Sequence, residues 1–324
     1  MLKLSDFFKN KQVLVTGGTG FIGSNLVDFL SKLGANVRVT SRSRKKQMWK
    51  IEPEVIYGDL KNYDFCEKAV TGMDYVFHLA AEGFTAIANP ENSAKSFTPN
   101  ILINSNIFLA CKNSNVSHIL FASSLNVYDA DLNVLSDEQP WLSHPHNSQK
   151  FFGWTKRIAE MQAQTYHELN EFKVSIVRIG AVYGPKDNFN LENARVVPSL
   201  ISKANHPKND LVVWGSGNAQ RSFVFVEDAV DAITRCMEEY SEADPVNIGS
   251  SRFTSIKELV TLIVKISNSA HIPKFDISKP EGILKTIITT EKAKSKIGWE
   301  SQTSLEEGLK KTIEWYQKFE LKED

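Results

Sequence analysis

A chain of 324 residues with 42% hydrophobic and 23% charged side chains has enough apolar material for a large core, in one sizeable domain or two intimately joined ones. Its 38 basic and 38 acidic residues cancel, so the overall charge excludes the strongly basic profile of a nucleic-acid or anionic-membrane binder, and any anionic ligand must be held by local groups. Cys66, Cys111 and Cys236 are odd in number and lack metal-ligand spacing, Met1 to Asn10 has no signal-peptide core, and no apolar run is long enough to span a bilayer; a soluble protein of the reducing cytoplasm, without a metal, is expected.

In chain order, an apolar run from Gln12 to Thr16 predicts a buried parallel strand, and Gly17-Gly18-Thr19-Gly20-Phe21-Ile22-Gly23 follows it directly. Gly17 and Gly20 let the backbone turn tightly and approach a pyrophosphate, and Gly23 lets the next helix pack on the strand. That helix, Phe21 to Leu33, offers its free N–H groups and the positive end of its dipole to the phosphates. Further strands are predicted at Asn36 to Ser41, Glu54 to Tyr57, Tyr75 to His78, His118 to Ala122 and Val174 to Ile179. Helices are predicted at Tyr63 to Val70, Ile101 to Lys112 and Phe152 to Leu169. Strands alternating with helices argue for an α/β fold, a doubly wound parallel sheet whose ligands lie beyond the carboxyl ends of its strands. From about residue 181 the pattern loosens into Gly, Pro and Asn-rich loops between short helices, which suits a smaller C-terminal substrate-binding domain. The division is therefore drawn at 1–180 and 181–324.

The glycine spacing Gly17-x-x-Gly20-x-x-Gly23 resembles that of the extended short-chain dehydrogenase/reductases, the family of nucleotide-sugar epimerases, dehydratases and reductases. So do His78-Leu79-Ala80-Ala81, Ser123-Ser124 with Val127-Tyr128, Tyr183-Gly184-Pro185, Arg221-Ser222-Phe223 and Asn247-Ile248-Gly249. The run Gly184 to Phe189, the run Val212 to Gly217 and Ser278-Lys279-Pro280-Glu281-Gly282 resemble the GDP-L-fucose synthase and GDP-mannose 3,5-epimerase subgroup, which favours GDP as the nucleotide. The resemblance implies a Rossmann fold to which 220–240 returns after the division, and a homodimer paired through two helices. It further implies that Phe21, Ile22, Asp59, Leu60, Ala80 and Ala81 line the cofactor path.

An acidic residue usually ends the second strand of such folds, where it binds the ribose 2′-hydroxyl of NAD. Here the strand ends in Ser41-Arg42-Ser43-Arg44, followed by Lys45 and Lys46. Ser41, Arg42 and Arg44 offer hydroxyl and guanidinium donors to a 2′-phosphate, so NADP is favoured, with NAD as the alternative.

The family's reaction needs a tyrosine to move a proton, a lysine four residues later to lower its pKa and hold the nicotinamide ribose, and a Ser or Thr to polarise the sugar oxygen. Ser124 and Lys156 match; the tyrosine position is Phe152. Three readings stay open: an engineered Tyr→Phe variant of a competent enzyme, a natural enzyme in which Lys156 or a water supplies the proton, and a binder without catalysis. Asn126 and Asn190 stand where the subgroup has its cysteine and histidine epimerisation groups, and an amide cannot abstract a proton beside a ketone. What remains is reduction of a 4-keto sugar nucleotide, its reverse, or C4 epimerisation. By resemblance, substrate contacts fall to Asn126, Asn188, Arg195, Arg221 and, more weakly, Lys285, while His144 and His146 are read as loop residues.

Overall fold

A computed structural model describes residues 6–44, 49–82, 90–129, 132–139, 141–145, 149–206, 210–279 and 287–321. The first half runs β1 (Gln12–Thr16), α1 (Phe21–Lys32), β2 (Asn36–Ser41), β3 (Glu54–Tyr57), α2 (Tyr63–Val70), β4 (Tyr75–His78), α3 (Pro90–Asn113), β5 (His118–Ser124), β6 (Val134–Leu135), α4 (Lys150–Glu168) and β7 (Lys173–Ile179). The second half runs β8 (Ala181–Tyr183), α5 (Val196–Asn205), β9 (Val212–Trp214), β10 (Gln220–Phe225), α6 (Val226–Glu239), β11 (Val246–Ile248), β12 (Phe253–Ser255), α7 (Ile256–Ile266), β13 (Lys274–Asp276), β14 (Ile287–Ile288), α8 (Glu291–Ile297) and α9 (Leu305–Phe319).

Seven of the strands form one sheet in the order β11-β7-β5-β4-β1-β2-β3, and every pairing in it is parallel. Side chains alternate across a strand, and here the alternation feeds two cores. Val13 and Val15 join Phe77, Leu120 and Val177 on the face covered by α1 and α6, while Leu14 joins Val76, Ile119, Phe121 and Ile176 under α2, α3 and α4. This is the expected doubly wound sheet. The order in which strands are added to the sheet reverses between β1 and β4, so the carboxyl ends of these two strands open a crevice of the kind that binds ligands in such sheets.

Three regions depart from the sequence expectation. Helix α3 begins at Pro90 instead of Ile101 and carries Pro99 inside it. Pro99 has no N–H to donate, and the Asn100 side chain adds a bond to the Ser96 carbonyl in the same turn. Second, the region expected to be loops and short helices contains, among the described residues, strands β8 to β14, of which all but β11 lie in small ladders such as β12-β10-β8. Third, not only does 226–239 pack back as α6, but Val246–Ile248 also pairs with β7 as the edge strand of the large sheet. Asp228, in the first turn of α6, ties in the chain before α9 by accepting from the Gln302 and Thr303 backbone and from the Thr303 hydroxyl at 2.8 to 3.1 Å.

Candidate active site

A cleft of about 250 Å³ opens at the carboxyl ends of β1, β2 and β4, and its walls include Gly17, Gly20, Ser41, Arg42, Asp59, Leu60, Ala80 and Ala81. Gly17 has φ +71°, and a Cβ on it would lie 2.9 Å from the Ala80 backbone nitrogen; a Cβ on Gly23 would lie 2.1 Å from the Gly17 carbonyl. Any side chain at either position would therefore push the turn, β4 and α1 apart. Gly20 caps α1 with no side-chain hydrogen bond, so the first-turn N–H groups beginning with Phe21 and Ile22 are left for a ligand. Cradle, bare helix start and mixed polar walls together fit the pyrophosphate and adenosine of a nicotinamide dinucleotide.

The crevice is braced by a buried chain of polar groups. His78 Nε2 donates to Asn104 Oδ1 at 3.0 Å, which leaves Nδ1 as acceptor for the Thr16 hydroxyl at 2.7 Å; Thr16 in turn accepts from the Ala80 N–H at 3.2 Å. This fixes the Ala80 backbone against Gly17. Burial, and then the charge of Lys156, push the His78 imidazole down to about 3, so the ring is neutral.

In the cleft wall after β3, Asp59 accepts from the Lys61 N–H at 2.9 Å and pairs with its ammonium at 3.2 Å. Burial acts to raise this carboxyl, but the Lys61 hydrogen bonds and the Lys61 and Arg42 charges hold it below its ordinary value. Arg42 stays in the cleft wall, whereas the Arg44 guanidinium lies 4.8 Å from the centre of the Tyr57 ring, so the two arginines are not equivalent. Lys45 and Lys46 lie outside the described residues. Glu82 was not singled out from sequence, yet it lines the same cleft and pairs with Arg42 at 2.5 Å.

Lys156 stands deeper, on α4 behind β5. Its Nζ donates to the Ala122 carbonyl at 2.7 Å and lies 4.7 Å from the centre of the Phe121 ring and 5.6 Å from that of Phe152. At 5% exposure it is a buried lysine. Burial pushes its ammonium down to about 8, against the opposing charge of Glu160 one turn along the helix. Glu160 is itself buried, accepts from the Ser123 hydroxyl, and forms a two-point pair with Arg178 at 2.8 and 3.1 Å. Arg178 continues to the Tyr128 hydroxyl at 3.0 Å, and that hydroxyl donates to Asn247 Oδ1 at 2.7 Å.

Ser124 ends β5, where its Oγ accepts from the Asn126 N–H at 3.2 Å. The helix carrying Phe152 and Lys156 comes close because residue 153 is glycine: a Cβ there would lie 2.3 Å from the Asn126 carbonyl. The structure thus sets Phe152 and Lys156 on a helix turn packed against the end of β5, where Ser124 and Asn126 lie; the buried network of Glu160, Arg178 and Tyr128, whose partners are far apart in sequence, is not in the sequence reading.

The residues read as substrate contacts are more dispersed. Asn188 donates to Asn193 Oδ1 at 2.5 Å. Arg195 makes two bonds to the buried Asp187 carboxylate, at 2.9 and 3.0 Å, and lies 5.2 Å from the centre of the Phe21 ring. It therefore joins the 187–195 loop to the start of α1. Arg221, on β10, donates to the Gln220 carbonyl at 2.8 Å. Asn190 accepts from the Glu192 N–H at 3.1 Å, a loop-forming use of its amide. His144 is exposed against Trp154, while His146 and Lys285 lie outside the described residues. Among the described residues no His, Cys, Asp and Glu cluster suits a metal ion, and no helix is long and apolar enough to cross a membrane.

The sequence matches the model of the NAD dependent epimerase/dehydratase family over residues 13–249. It is 28% identical to a GDP-L-fucose synthase of Sinorhizobium fredii over 311 residues, covering 94% of this chain and 95% of that protein. It is 30% identical to UDP-glucuronic acid decarboxylase 1 of Xenopus tropicalis over 318 residues, covering 95% of this chain and 72% of that protein. Among solved structures, UDP-glucose 4-epimerase of Thermotoga maritima, determined with UDP-glucose, superposes with a TM-score of 0.85 at 27% identity, covering 95% of this chain and 99% of the other.

Proposed function

Because the chain belongs to the NAD dependent epimerase/dehydratase family, we propose that it works at C4 of a sugar nucleotide, as a reductase of the 4-keto form, with NADP preferred to NAD and a GDP-sugar as the favoured substrate. Residues 181–324 are the part that chiefly receives the sugar nucleotide, and 1–180, with 220–240, the part that receives the cofactor. The observation that carries this reading is the Lys156 ammonium, buried at the end of β5 next to Phe152 with its pKa lowered to about 8.

The nicotinamide, when bound, supplies the hydride. The chain's own groups do the rest. The cleft from Gly17 and Gly20 to Ala80 and Ala81 holds the dinucleotide, with the bare start of α1 at the pyrophosphate and Ser41 and Arg42 at the 2′ position. Ser124 polarises the carbonyl oxygen. Phe152 keeps the shape of the tyrosine site but has no proton to give, so Lys156 is the titratable group nearest the reacting oxygen and turnover falls below that of a tyrosine enzyme. Arg221 binds the diphosphate, Asn126 and Asn188 contact the sugar nucleotide, and Arg195 orders the loop through Asp187. Asn126 and Asn190, unable to act as carbon bases, speak against C3/C5 epimerisation. The three free, buried cysteines are in keeping with a reducing cytoplasm.

The test is cofactor stoichiometry with a panel of 4-keto and 4-hydroxy GDP- and UDP-sugars. A reductase consumes reduced cofactor in step with product. Interconversion of 4-hydroxy sugars without net cofactor change would make the chain a C4 epimerase instead, and binding with no hydride transfer would leave a sugar-nucleotide binder.

A further inference from the structure

The cleft wall carries a carboxylate where the sequence, read along β2, has none. Glu82 follows β4, across the crevice from the end of β2, and its carboxylate accepts from Arg42 at 2.5 Å and lies 3.6 Å from the Lys61 ammonium. Exposed ion pairs of this kind usually contribute little, because two long side chains must be held in place. Here one partner is already fixed. The Glu82 N–H donates to Asn100 Oδ1 at 2.8 Å, and Asn100 Nδ2 donates back to the Glu82 carbonyl at 3.3 Å; Asn100 is buried and bonded in turn to Ser96. The Glu82 side chain is also the more sheltered half of the pair, 24% exposed against 63% for Arg42.

We propose that Glu82 is a cofactor-specificity determinant that competes with the 2′-phosphate of NADP for Arg42 and so restrains the preference for NADP over NAD. This rests on the reading of the cleft as the dinucleotide site. A 2′-phosphate approaching Arg42 must displace a carboxylate from the guanidinium donors and then remain near that carboxylate's negative charge. A 2′-hydroxyl meets no such opposition, since it donates to a carboxylate as readily as it accepts from an arginine. Glu82 thus performs from the end of β4 part of the discrimination that an acid at the end of β2 would perform.

The experiment is a binding cycle by calorimetry, with NADP and NAD titrated into the wild type, Glu82→Gln, Arg42→Ala and the double variant, each checked for folding by circular dichroism. Glu82→Gln is expected to tighten NADP about tenfold, the scale of one charge-assisted hydrogen bond gained, and to leave NAD within about twofold. In the Arg42→Ala background the same change is expected to bring a smaller gain, because the contested donor is gone and only the carboxylate's repulsion of the phosphate is relieved. Glu82→Ala repeats the measurement without the amide and is expected to shift NADP in the same direction. If Arg42→Ala weakens NADP while Glu82→Gln leaves it unchanged, or tightens both cofactors alike, the role of Glu82 is refuted and the cleft assignment stands. If Arg42→Ala leaves both cofactors unaffected, the placing of the 2′ group at Arg42 is refuted, and the role of Glu82 with it.

Discussion

The Lys156 ammonium faces the ring of Phe152, with 5.6 Å between Nζ and the ring centre and one helical turn between the two residues. A tyrosine in the same place would present its hydroxyl to that ammonium's field, and a cation beside a phenol stabilises the phenolate and lowers its pKa. The phenyl ring retains the packing and the cation–π contact but removes the proton. Around it the rest is intact: Gly153 lets the helix approach Asn126, and Lys156 is held by the Ala122 carbonyl.

Restoring the hydroxyl is accordingly expected to restore rate. Phe152→Tyr should raise kcat by about 10²- to 10⁴-fold, the usual contribution of a general acid–base group, with little change in KM. Steady-state kinetics with the best substrate of the panel checks this. A flat response would mean that Lys156 or water already carries the proton without loss.

The lowered pKa of Lys156 gives a signed pH dependence. Reduction of a ketone uses the protonated ammonium, so in the unchanged chain kcat should fall as pH rises through about 8, and oxidation in the reverse direction should rise through the same value. Lys156→Met should abolish the step in both directions. The same shift affects stability. The folded lysine titrates near 8 and the unfolded one near 10.5, so burial of the charge opposes folding below 8, and stability increases between the two values. A kcat profile with no inflection between pH 7 and 9 would remove Lys156 from the proton step.

Much of this site was legible in the sequence because its parts lie at strand ends. Strands β1 to β4 and helix α2 fall on the expected residues, each bounded by turn chemistry and carrying a clear apolar run. Once the sheet is drawn, Gly17, Asp59, Ala80 and Ser124 must share one edge of it. What the sequence did not show depends on partners distant in the chain. Strands of two or three residues such as β6 and β14 have too few side chains for a period to appear, and form only because each meets the other. Arg178 finds Glu160 and Tyr128, and Asn247 finds Asp137, through the tertiary fold alone. Glu82 reads as an ordinary charge after His78-Leu79-Ala80-Ala81 until Asn100 and Arg42 are placed beside it.

Helices α3 and α4 pack together, joined by the bond from Gln162 to Ser105 at 2.9 Å, and both leave large apolar side chains in solvent. Leu102 and Leu109, two turns apart on one face of α3, are 43% and 41% exposed, and Met161 on α4 is 58% exposed. These exposed apolar side chains offer a second copy a surface to dock on about a two-fold axis, so a homodimer is expected at micromolar concentration by light scattering. The double substitution Leu109→Glu and Met161→Glu should give a folded monomer. A wild type that is monomeric under the same conditions would rule this surface out as a self-contact.

The last prediction concerns acid. His78 and His118 are buried in the sheet and neutral: burial, then a neighbouring charge, pushes each down to about 3, from Lys156 for the first and Lys173 for the second. The unfolded chain binds a proton at each near pH 6.5, and the folded protein does not until about 3. The stabilisation these residues confer is therefore complete above 6.5 and is lost as pH falls through that window, by roughly 1.4 kcal/mol per pH unit for each. Asp137 works in the opposite sense, because burial raises its carboxyl to about 6 and its protonated form favours the folded state below that value. The total acid sensitivity is therefore no simple sum, and the difference between variants is the clean measure. His118 is the better probe, since it bonds to Ser175 at 3.0 Å and lies at the opposite end of β5 from Ser124. Urea unfolding of the wild type and of His118→Gln at pH 7.5, 6.5 and 5 should show the variant less stable at pH 7.5. Between pH 6.5 and 5 the variant should lose about 2 kcal/mol less than the wild type. Parallel curves would mean that His118 is already protonated in the folded protein, or is not sheltered from water there.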